Sequence, residues 1–124
     1  FTPNESEASF YVSGDIANKD DAEQYGQEFL NLGVKNLVVT LGDQGVYFQN
    51  DKEKHFEPAL DLGSRVIDTS GAGDAFSGAF ATALCEEKSI FDAIKFANTF
   101  AGISTTRIGT ANSMPTREEI EKLI

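Results

Sequence analysis

Two carboxylates and two glycines within seven residues are the groups of this sequence best placed to carry chemistry. Residues 68–74 read Asp-Thr-Ser-Gly-Ala-Gly-Asp and lead into a segment of small residues with helical character. Glycines at a helix start leave backbone N–H groups unobstructed, and the helix dipole adds positive potential, so this turn suits a phosphate or a developing anion. Asp74 at such a turn is a candidate general base for a hydroxyl group. The alternative interpretation is an ordinary loop with an Asp N-cap.

Composition limits the classes of partner. The 124 residues carry a net charge of −10, and 40% of them are hydrophobic, which is enough to bury the core of one domain. A strongly acidic chain is a poor ligand for nucleic acid or an anionic membrane, because both need clustered Lys and Arg. The sequence has no apolar run long enough to span a bilayer. The single cysteine, Cys85, excludes an internal disulfide and indicates a reducing cytoplasm; we expect it to be packed inside a helix.

Hydrophobic periodicity and turn residues predict an alternation of helices and strands. Residues 36–40 (Asn-Leu-Val-Val-Thr) form an apolar run typical of a strand buried on both faces, and Gly45 separates it from an antiparallel partner. Gly33 is expected to end the helix before this strand. The other predicted elements are helices over 5–12, from 20–21 onward, over 72–86, from Ser89 and from Thr116, strands over 46–49 and 55–56, and a short β-rich run over 64–67.

Three further motifs accompany residues 68–74 in a fixed order. They are residues 2–7 (Thr-Pro-Asn-Glu-Ser-Glu), 40–45 (Thr-Leu-Gly-Asp-Gln-Gly) and 106–113 (Thr-Arg-Ile-Gly-Thr-Ala-Asn-Ser). Together the four motifs resemble the signature segments of the ribokinase family of carbohydrate kinases. The resemblance implies an α/β fold, a three-layer αβα Rossmann-like sandwich in which helices flank a mainly parallel sheet. It also implies that residues 1–124 are a single nucleotide-binding portion from the C-terminal part of a longer sugar kinase.

The catalytic groups implied by the resemblance belong to the glycine turn. Asp74 would take the proton of the sugar hydroxyl. The backbone N–H groups of Ala72, Gly73 and Asp74, which follow the turn residue Gly71, would hold the charge on the transferred phosphoryl group.

The resemblance also implies a set of nucleotide contacts. Asn98 is an amide within an apolar helical stretch and needs a partner; the resemblance gives it the adenine or ribose of ATP, and the alternative is a bond to a neighbouring loop. Glycines in the turn over 40–45 permit the backbone to lie against a nucleotide, although a plain hairpin explains them equally well. The full set implied for ATP is Asn4, Thr40, Leu41, Gly42, Asp43, Gln44, Gly45, Gly73 and Asn98, with Asp43 and Gln44 only lining the turn.

Two cations are implied as well. Asn4 and Glu7 lie three residues apart at a helix start, and the resemblance has them act through water on Mg²⁺, which keeps several waters in protein sites. The alternative is an Asn N-cap beside an exposed Glu. A K⁺ site is implied at the Asp68 carboxylate, the Ser113 side chain and the carbonyl groups of Ser70, Ser104, Arg107 and Gly109. The Arg107 side chain itself is expected to be solvated.

The resulting hypothesis is that the intact protein transfers the γ-phosphoryl group of ATP to the 5-hydroxyl of D-ribose. Fructokinase or another member of the family is the alternative enzyme, because the sugar-binding half is expected to lie outside this chain. Two non-enzymatic alternatives are a nucleotide-binding module that is inactive as an isolated fragment and an interaction domain that inherited a kinase fold. We expect the intact protein to be a cytoplasmic homodimer with ATP and a small sugar as its ligands.

Overall fold

A computed structural model describes residues 1–61, 66, 69, 71–107 and 114–124 of the chain. The chain divides into two compact units, Phe1–Pro58 and Ala59–Ile124. The prediction that residues 1–124 form one nucleotide-binding portion stays a prediction. None of the helices in the described ranges has the length and hydropathy that a membrane crossing requires.

The first unit begins with two helices that are fixed by side-chain caps. Helix α1 spans Glu5–Tyr11 and helix α2 spans Lys19–Asn31. Asn18 caps α2 by accepting the N–H of Asp21, and Gly33 follows its end with a φ of +101°, a value that favours glycine. Both ends of α2 predicted from the sequence therefore lie within two residues of its ends in the structure.

The sheet of the first unit has three antiparallel strands in the order β1-β2-β3. Strands β1, β2 and β3 span Asn36–Thr40, Gly45–Asn50 and Lys54–Pro58. The three central residues of β1 are buried on both faces, as predicted from its continuous apolar run. A short segment before α1 pairs with β1 in parallel through a single bridge between Asn4 and Thr40.

The second unit is built from helices in the residues that the structure describes. Helices α3, α4 and α5 span Ala72–Cys85, Ile90–Ser104 and Arg117–Glu121. Ser89 caps α4, and Thr116 caps α5 in a reciprocal capping box with Glu119. Alanine and phenylalanine form the buried face of α3, at positions 75, 76, 79, 80 and 83. This spacing of three and four residues is that of one helix face.

Three expectations differ from the structure or lie outside it. The mainly parallel sheet is wrong for the described strands, which are antiparallel apart from the single bridge. Cys85 is exposed and not packed, because it lies two residues, or about 200° around the helix, from the buried Ala83. The predicted β-rich run over 64–67 lies outside the described residues except for Val66.

Candidate active site

In the first unit, the parallel bridge brings two of the predicted motifs together. The N–H of Thr40 donates to the carbonyl of Pro3 at 2.9 Å, so the end of β1 lies beside the start of α1. Asn4 is the last residue before α1, and Thr40 is the last residue of β1. Asn4, Glu7 and the turn over 40–45 therefore share one end of this part of the sheet.

Asn4 and Glu7 form a capping box. The Asn4 Oδ1 accepts the N–H of Glu7 at 2.8 Å, and the Glu7 Oε2 accepts the N–H of Asn4 at 3.1 Å. This is the structural alternative considered for the pair. It also fixes both side chains at the positive end of α1, where the helix dipole favours negatively charged groups.

The turn between β1 and β2 needs its two glycines. It forms a 3₁₀ turn over Gly42–Gln44, in which Gly42 has a φ of +57° and Gly45 a φ of +129°. Both values lie in the region that favours glycine. The turn is tied down by the Gln44 side chain, whose Nε2 donates to the carbonyl of Ala17 at 2.9 Å. No such structural role was predicted for Gln44, because no local pattern in the sequence points to a contact across 27 residues.

Glu5 is a neighbour of this turn that sequence reasoning missed. A Cβ atom placed on Gly42 would lie 3.4 Å from the Glu5 Oε1. Glu5 sits in the first turn of α1, where an acidic side chain interacts favourably with the helix dipole. Its position next to Asn4 in the sequence was the only available signal.

In the second unit, the glycine turn opens α3 in the way its sequence requires. Gly71 is the residue before the helix and has a φ of +75°, which favours glycine. Asp74 is exposed in the first turn of α3, and a Cβ atom on Gly73 would meet nothing within 4 Å. The start of α3 is therefore open to a ligand on the Gly73 side. The N–H of Ala72, one of the three predicted anion donors, donates to the carbonyl of Thr69 at 3.2 Å.

A cavity of about 310 Å³ lies beside Asp74 between the helices of the second unit. Phe96, Phe100, Met114 and Ile120 line much of it. Asn98 lies on the same helix as the two phenylalanines and is half-buried. It is not among the residues that line this cavity.

Ser104 and Arg107 are the predicted K⁺ ligands that the structure describes. Helix α4 ends at Ser104, which is 1% exposed, and the Ser104 carbonyl accepts the N–H of Arg107 at 3.3 Å. The carbonyl groups of Gly102 and Ile103 also accept hydrogen bonds, from Thr105 and Thr106. Oxygen donors of this kind fit a hard monovalent cation. The other four predicted ligands, Asp68, Ser70, Gly109 and Ser113, lie outside the described residues.

The prediction that the Arg107 side chain is solvated is wrong, because its guanidinium group has two acceptors in the protein. Its guanidinium group forms an ion pair with Glu119 at 2.6 Å and donates to the carbonyl of Met114 at 3.3 Å.

For divalent cations, no cluster of three or more His, Cys, Asp or Glu ligands occurs among the described residues. A Mg²⁺ ion held here would depend on phosphate oxygens and water, which is usual for this ion.

Known proteins are similar to this chain over nearly its whole length. The ribokinase of Haemophilus influenzae is 37% identical to this chain over 118 residues, which are 95% of the chain and 38% of that protein. The crystal structure of the ribokinase of Thermotoga maritima is 42% identical, with a TM-score of 0.83 over 98% of this chain and 40% of that one. The ribokinase of Arabidopsis thaliana, complexed with ribose and ATP, is 32% identical, with a TM-score of 0.90 over 98% of this chain and 39% of that one.

The chain thus spans about two fifths of the length of the relatives it matches. The structural similarity confirms the predicted fold class, an α/β fold of the ribokinase type. The profile of the pfkB family of carbohydrate kinases matches residues 1–117. On this match and these identities, the chain belongs to the pfkB family of carbohydrate kinases.

Proposed function

We propose that the protein containing this chain phosphorylates the 5-hydroxyl of D-ribose with ATP. The observation that carries the proposal is the start of α3, where Gly71 adopts a positive φ and Asp74 is exposed in the first helical turn. A carboxylate at an open helix N-terminus combines a proton acceptor with backbone donors for a phosphoryl group. Phosphoryl transfer needs little more from a protein than positioning and charge stabilisation of this kind.

Each residue at this turn has one task in the proposed mechanism. Asp74 accepts the proton of the attacking hydroxyl group. The N–H groups of Gly73 and Asp74 stabilise the charge that develops on the phosphoryl oxygens. Ala72 joins them only by giving up its 3.2 Å bond to Thr69. Gly71 forms the turn that presents these groups.

ATP and its metal ion would be held mainly by the first unit's motifs. The turn over Gly42–Gln44 offers backbone against the nucleotide, with Thr40 and Asn4 beside it. Asn4 and Glu7 would orient the water shell of a bound Mg²⁺, which would supply neutralisation of the phosphate charge. A ribokinase-type protein of Escherichia coli in complex with ATP and Mg²⁺ supports this, at 26% identity and a TM-score of 0.84 over 98% of this chain and 37% of that one.

A monovalent cation near Ser104 and Arg107 is part of the same proposal. Phosphofructokinase-2 of Escherichia coli in complex with potassium is 28% identical to this chain, with a TM-score of 0.82 over 98% of it and 38% of that protein. The negative end of the α4 dipole favours such an ion. We further propose that the intact protein is a cytoplasmic homodimer and that this chain is its C-terminal part.

The test is the substitution Asp74→Asn in the natural protein, with turnover of ribose and ATP as the readout. Loss of a general base lowers kcat by about 10²–10⁴-fold, while the KM for ATP changes little. Asp92→Asn is the matched control, because Asp92 is an exposed acid in the first turn of the neighbouring helix α4. It removes the same helix-dipole interaction without touching the glycine turn.

The two variants separate catalysis from helix stability. Equal, small losses of activity in both would remove Asp74 from the mechanism. If fructose or another sugar is phosphorylated more efficiently than ribose, the proposed kinase activity stands and the proposed substrate is wrong. ADP binding without transfer to any sugar would favour the nucleotide-binding module.

A further inference from the structure

The side chain of Gln44 joins the turn over Gly42–Gln44 to the segment that precedes α2. Its Nε2 donates to the carbonyl of Ala17 at 2.9 Å. We propose that Gln44 is a positioning residue and that this hydrogen bond raises the affinity of the protein for ADP and ATP by fixing the turn. The inference deepens the proposed function, because it rests on the nucleotide contact that is proposed there for the turn.

The first observation is that burial contributes little to the position of the turn. Gly42, Asp43 and Gln44 are all exposed, so hydrogen bonds have more influence on where they lie than packing has. Gly42 has a φ of +57°, and glycine loses more conformational freedom than any other residue when a segment becomes ordered. A hydrogen bond to a second segment therefore restricts a part of the chain that packing leaves weakly restrained.

The start of the turn is fixed by Leu41, which is buried in the core of the first unit. The N–H of Leu41 donates to the carbonyl of Gly45 at 2.8 Å, and its carbonyl accepts the N–H of Gln44 at 3.0 Å. These two bonds close the turn on itself. The bond from the Gln44 side chain crosses 27 residues and fixes the closed turn against a separate segment.

The second observation is that the acceptor of this bond is itself held in place. The N–H of Ala17 donates to the Asp21 Oδ2 at 3.0 Å, and the N–H of Ile16 donates to the Ser9 Oγ at 2.8 Å. Ile16 is 3% exposed and lies in the same buried cluster as Leu41. The carbonyl of Ala17 therefore belongs to a segment that both preceding helices hold, and it can serve as a fixed support for the turn.

A fixed turn favours nucleotide binding through entropy. A segment that is already ordered loses less conformational freedom when a ligand contacts it, so binding costs less. Loss of the Gln44 bond should therefore weaken binding through greater mobility of the turn in the ligand-free protein. A direct contact between the Gln44 amide and the nucleotide is the alternative, and it would leave the mobility of the ligand-free turn unchanged.

The experiment compares Gln44→Met with Gln27→Met in the natural protein. Methionine has nearly the length of glutamine and a similar helix propensity, but its thioether cannot donate a hydrogen bond. Gln27 is the matched control, because it is an exposed glutamine in α2 whose Nε2 donates to the Asn31 Oδ1 at 3.0 Å. The two variants lose the same kind of bond, and they differ in whether that bond reaches the turn.

Three quantities are measured for each protein: the Kd for ADP, the melting temperature, and the backbone order parameters of residues 42–44 without nucleotide. We expect Gln44→Met to raise the Kd for ADP by about two- to tenfold, the range that corresponds to one hydrogen bond. The order parameters should fall from about 0.85, typical of rigid backbone, towards about 0.6. Gln27→Met should match the wild type in its Kd and in these order parameters.

The remaining outcomes overturn the inference in distinct ways. A Kd that is equal in the two variants overturns it, as does a lower melting temperature in Gln44→Met with an unchanged Kd, because the bond would then serve stability alone. A higher Kd with unchanged order parameters overturns it in favour of a direct contact. A wild type that does not bind ADP overturns it as well.

Ribose phosphorylation by the wild type tests the proposed function separately. Active wild type with equal Kd values in both variants removes the inference and leaves the function in place. The expected changes of Kd and order parameters, in a protein that phosphorylates no ribose, support the inference and remove the proposed function.

Discussion

Gly26 is the position in the first unit where one added methyl group has a calculable effect. It is buried in α2, and a Cβ atom there would lie 1.9 Å from the Gln49 Oε1 and 2.9 Å from its Cδ. The Gln49 side chain has little freedom to move aside, because Gln49 is 3% exposed and its Oε1 accepts the Tyr47 hydroxyl at 2.8 Å. Gly26→Ala therefore sets helix propensity against a buried hydrogen bond.

The opposing terms can be estimated. Alanine gains about 1 kcal/mol over glycine in the interior of a helix. Overpacking costs about 1–3 kcal/mol, and a buried hydroxyl left without its acceptor costs about 1–3 kcal/mol more. The sum predicts that Gly26→Ala lowers the free energy of unfolding by about 1–5 kcal/mol, although propensity alone predicts an increase.

Urea denaturation followed by tyrosine fluorescence measures this change. The 124-residue chain has no tryptophan, and its three tyrosines all lie in the first unit, so the signal reports that unit alone. Gln24→Ala, at an exposed position of the same helix, is the control and should change stability by less than about 0.5 kcal/mol. In Gly26→Ala combined with Gln49→Ala, the cost of the methyl group should largely disappear. A stability equal to or above the wild type in Gly26→Ala alone would refute the reasoning.

Two further predictions concern pH and ligand binding. Burial, and secondarily Glu23, raise the pKa of Tyr47 from 10.0 to about 12. The folded state therefore holds this proton more tightly than the unfolded chain, so the stabilisation is complete below about pH 10 and is lost as the pH rises towards 12. At pH 11 the loss is about 1.4 kcal/mol relative to neutral pH, and it should be absent in Tyr47→Phe; an equal loss in both proteins contradicts the assignment. The isolated chain should bind ADP weakly, with amide chemical-shift changes over 40–45, over 71–74 and around Asn98, and should not phosphorylate ribose. Binding is expected to be weak because it must offset the entropy lost when loops become ordered. The absence of chemical-shift changes at millimolar ADP in a folded sample would contradict this expectation, as would measurable formation of ribose phosphate.

Local signals explain why much of the fold could be predicted. The strand over 36–40 was predicted with the bounds it has, because an apolar run of strand length between turn residues allows few alternatives. Ser89 and Thr116 were correctly predicted as helix starts, since capping residues satisfy N–H groups within three residues of themselves. The end of α2 followed from Gly33 in the same way.

Features that depend on distant partners could not be predicted from the sequence. The Arg107 side chain was expected in solvent, yet its acceptors lie seven and twelve residues further along, beyond the three- or four-residue spacing of side-chain pairs on a helix. Cys85 was expected inside because free cysteine is usually buried, but its place on α3 is set by the phase of the alanine and phenylalanine face. The three described strands are antiparallel because short connections join each strand to the next. The resemblance implied a mainly parallel sheet, which describes the complete sheet of the family and not these three strands.

Asn4 and Glu7 show that a structural and a functional interpretation of the same residues need not compete. The sequence left two interpretations open, an N-cap and a pair that acts on a metal ion through water. The structure contains the cap, with both reciprocal hydrogen bonds formed. Those bonds fix each side chain in one rotamer at the positive end of α1, and the bridge to Thr40 holds that end beside the turn over Gly42–Gln44. The entropy of ordering these side chains is then lost on folding and not on binding. Under the proposed function, the cap is the means by which two small polar groups could orient a hydrated metal ion without a dedicated cluster of carboxylates.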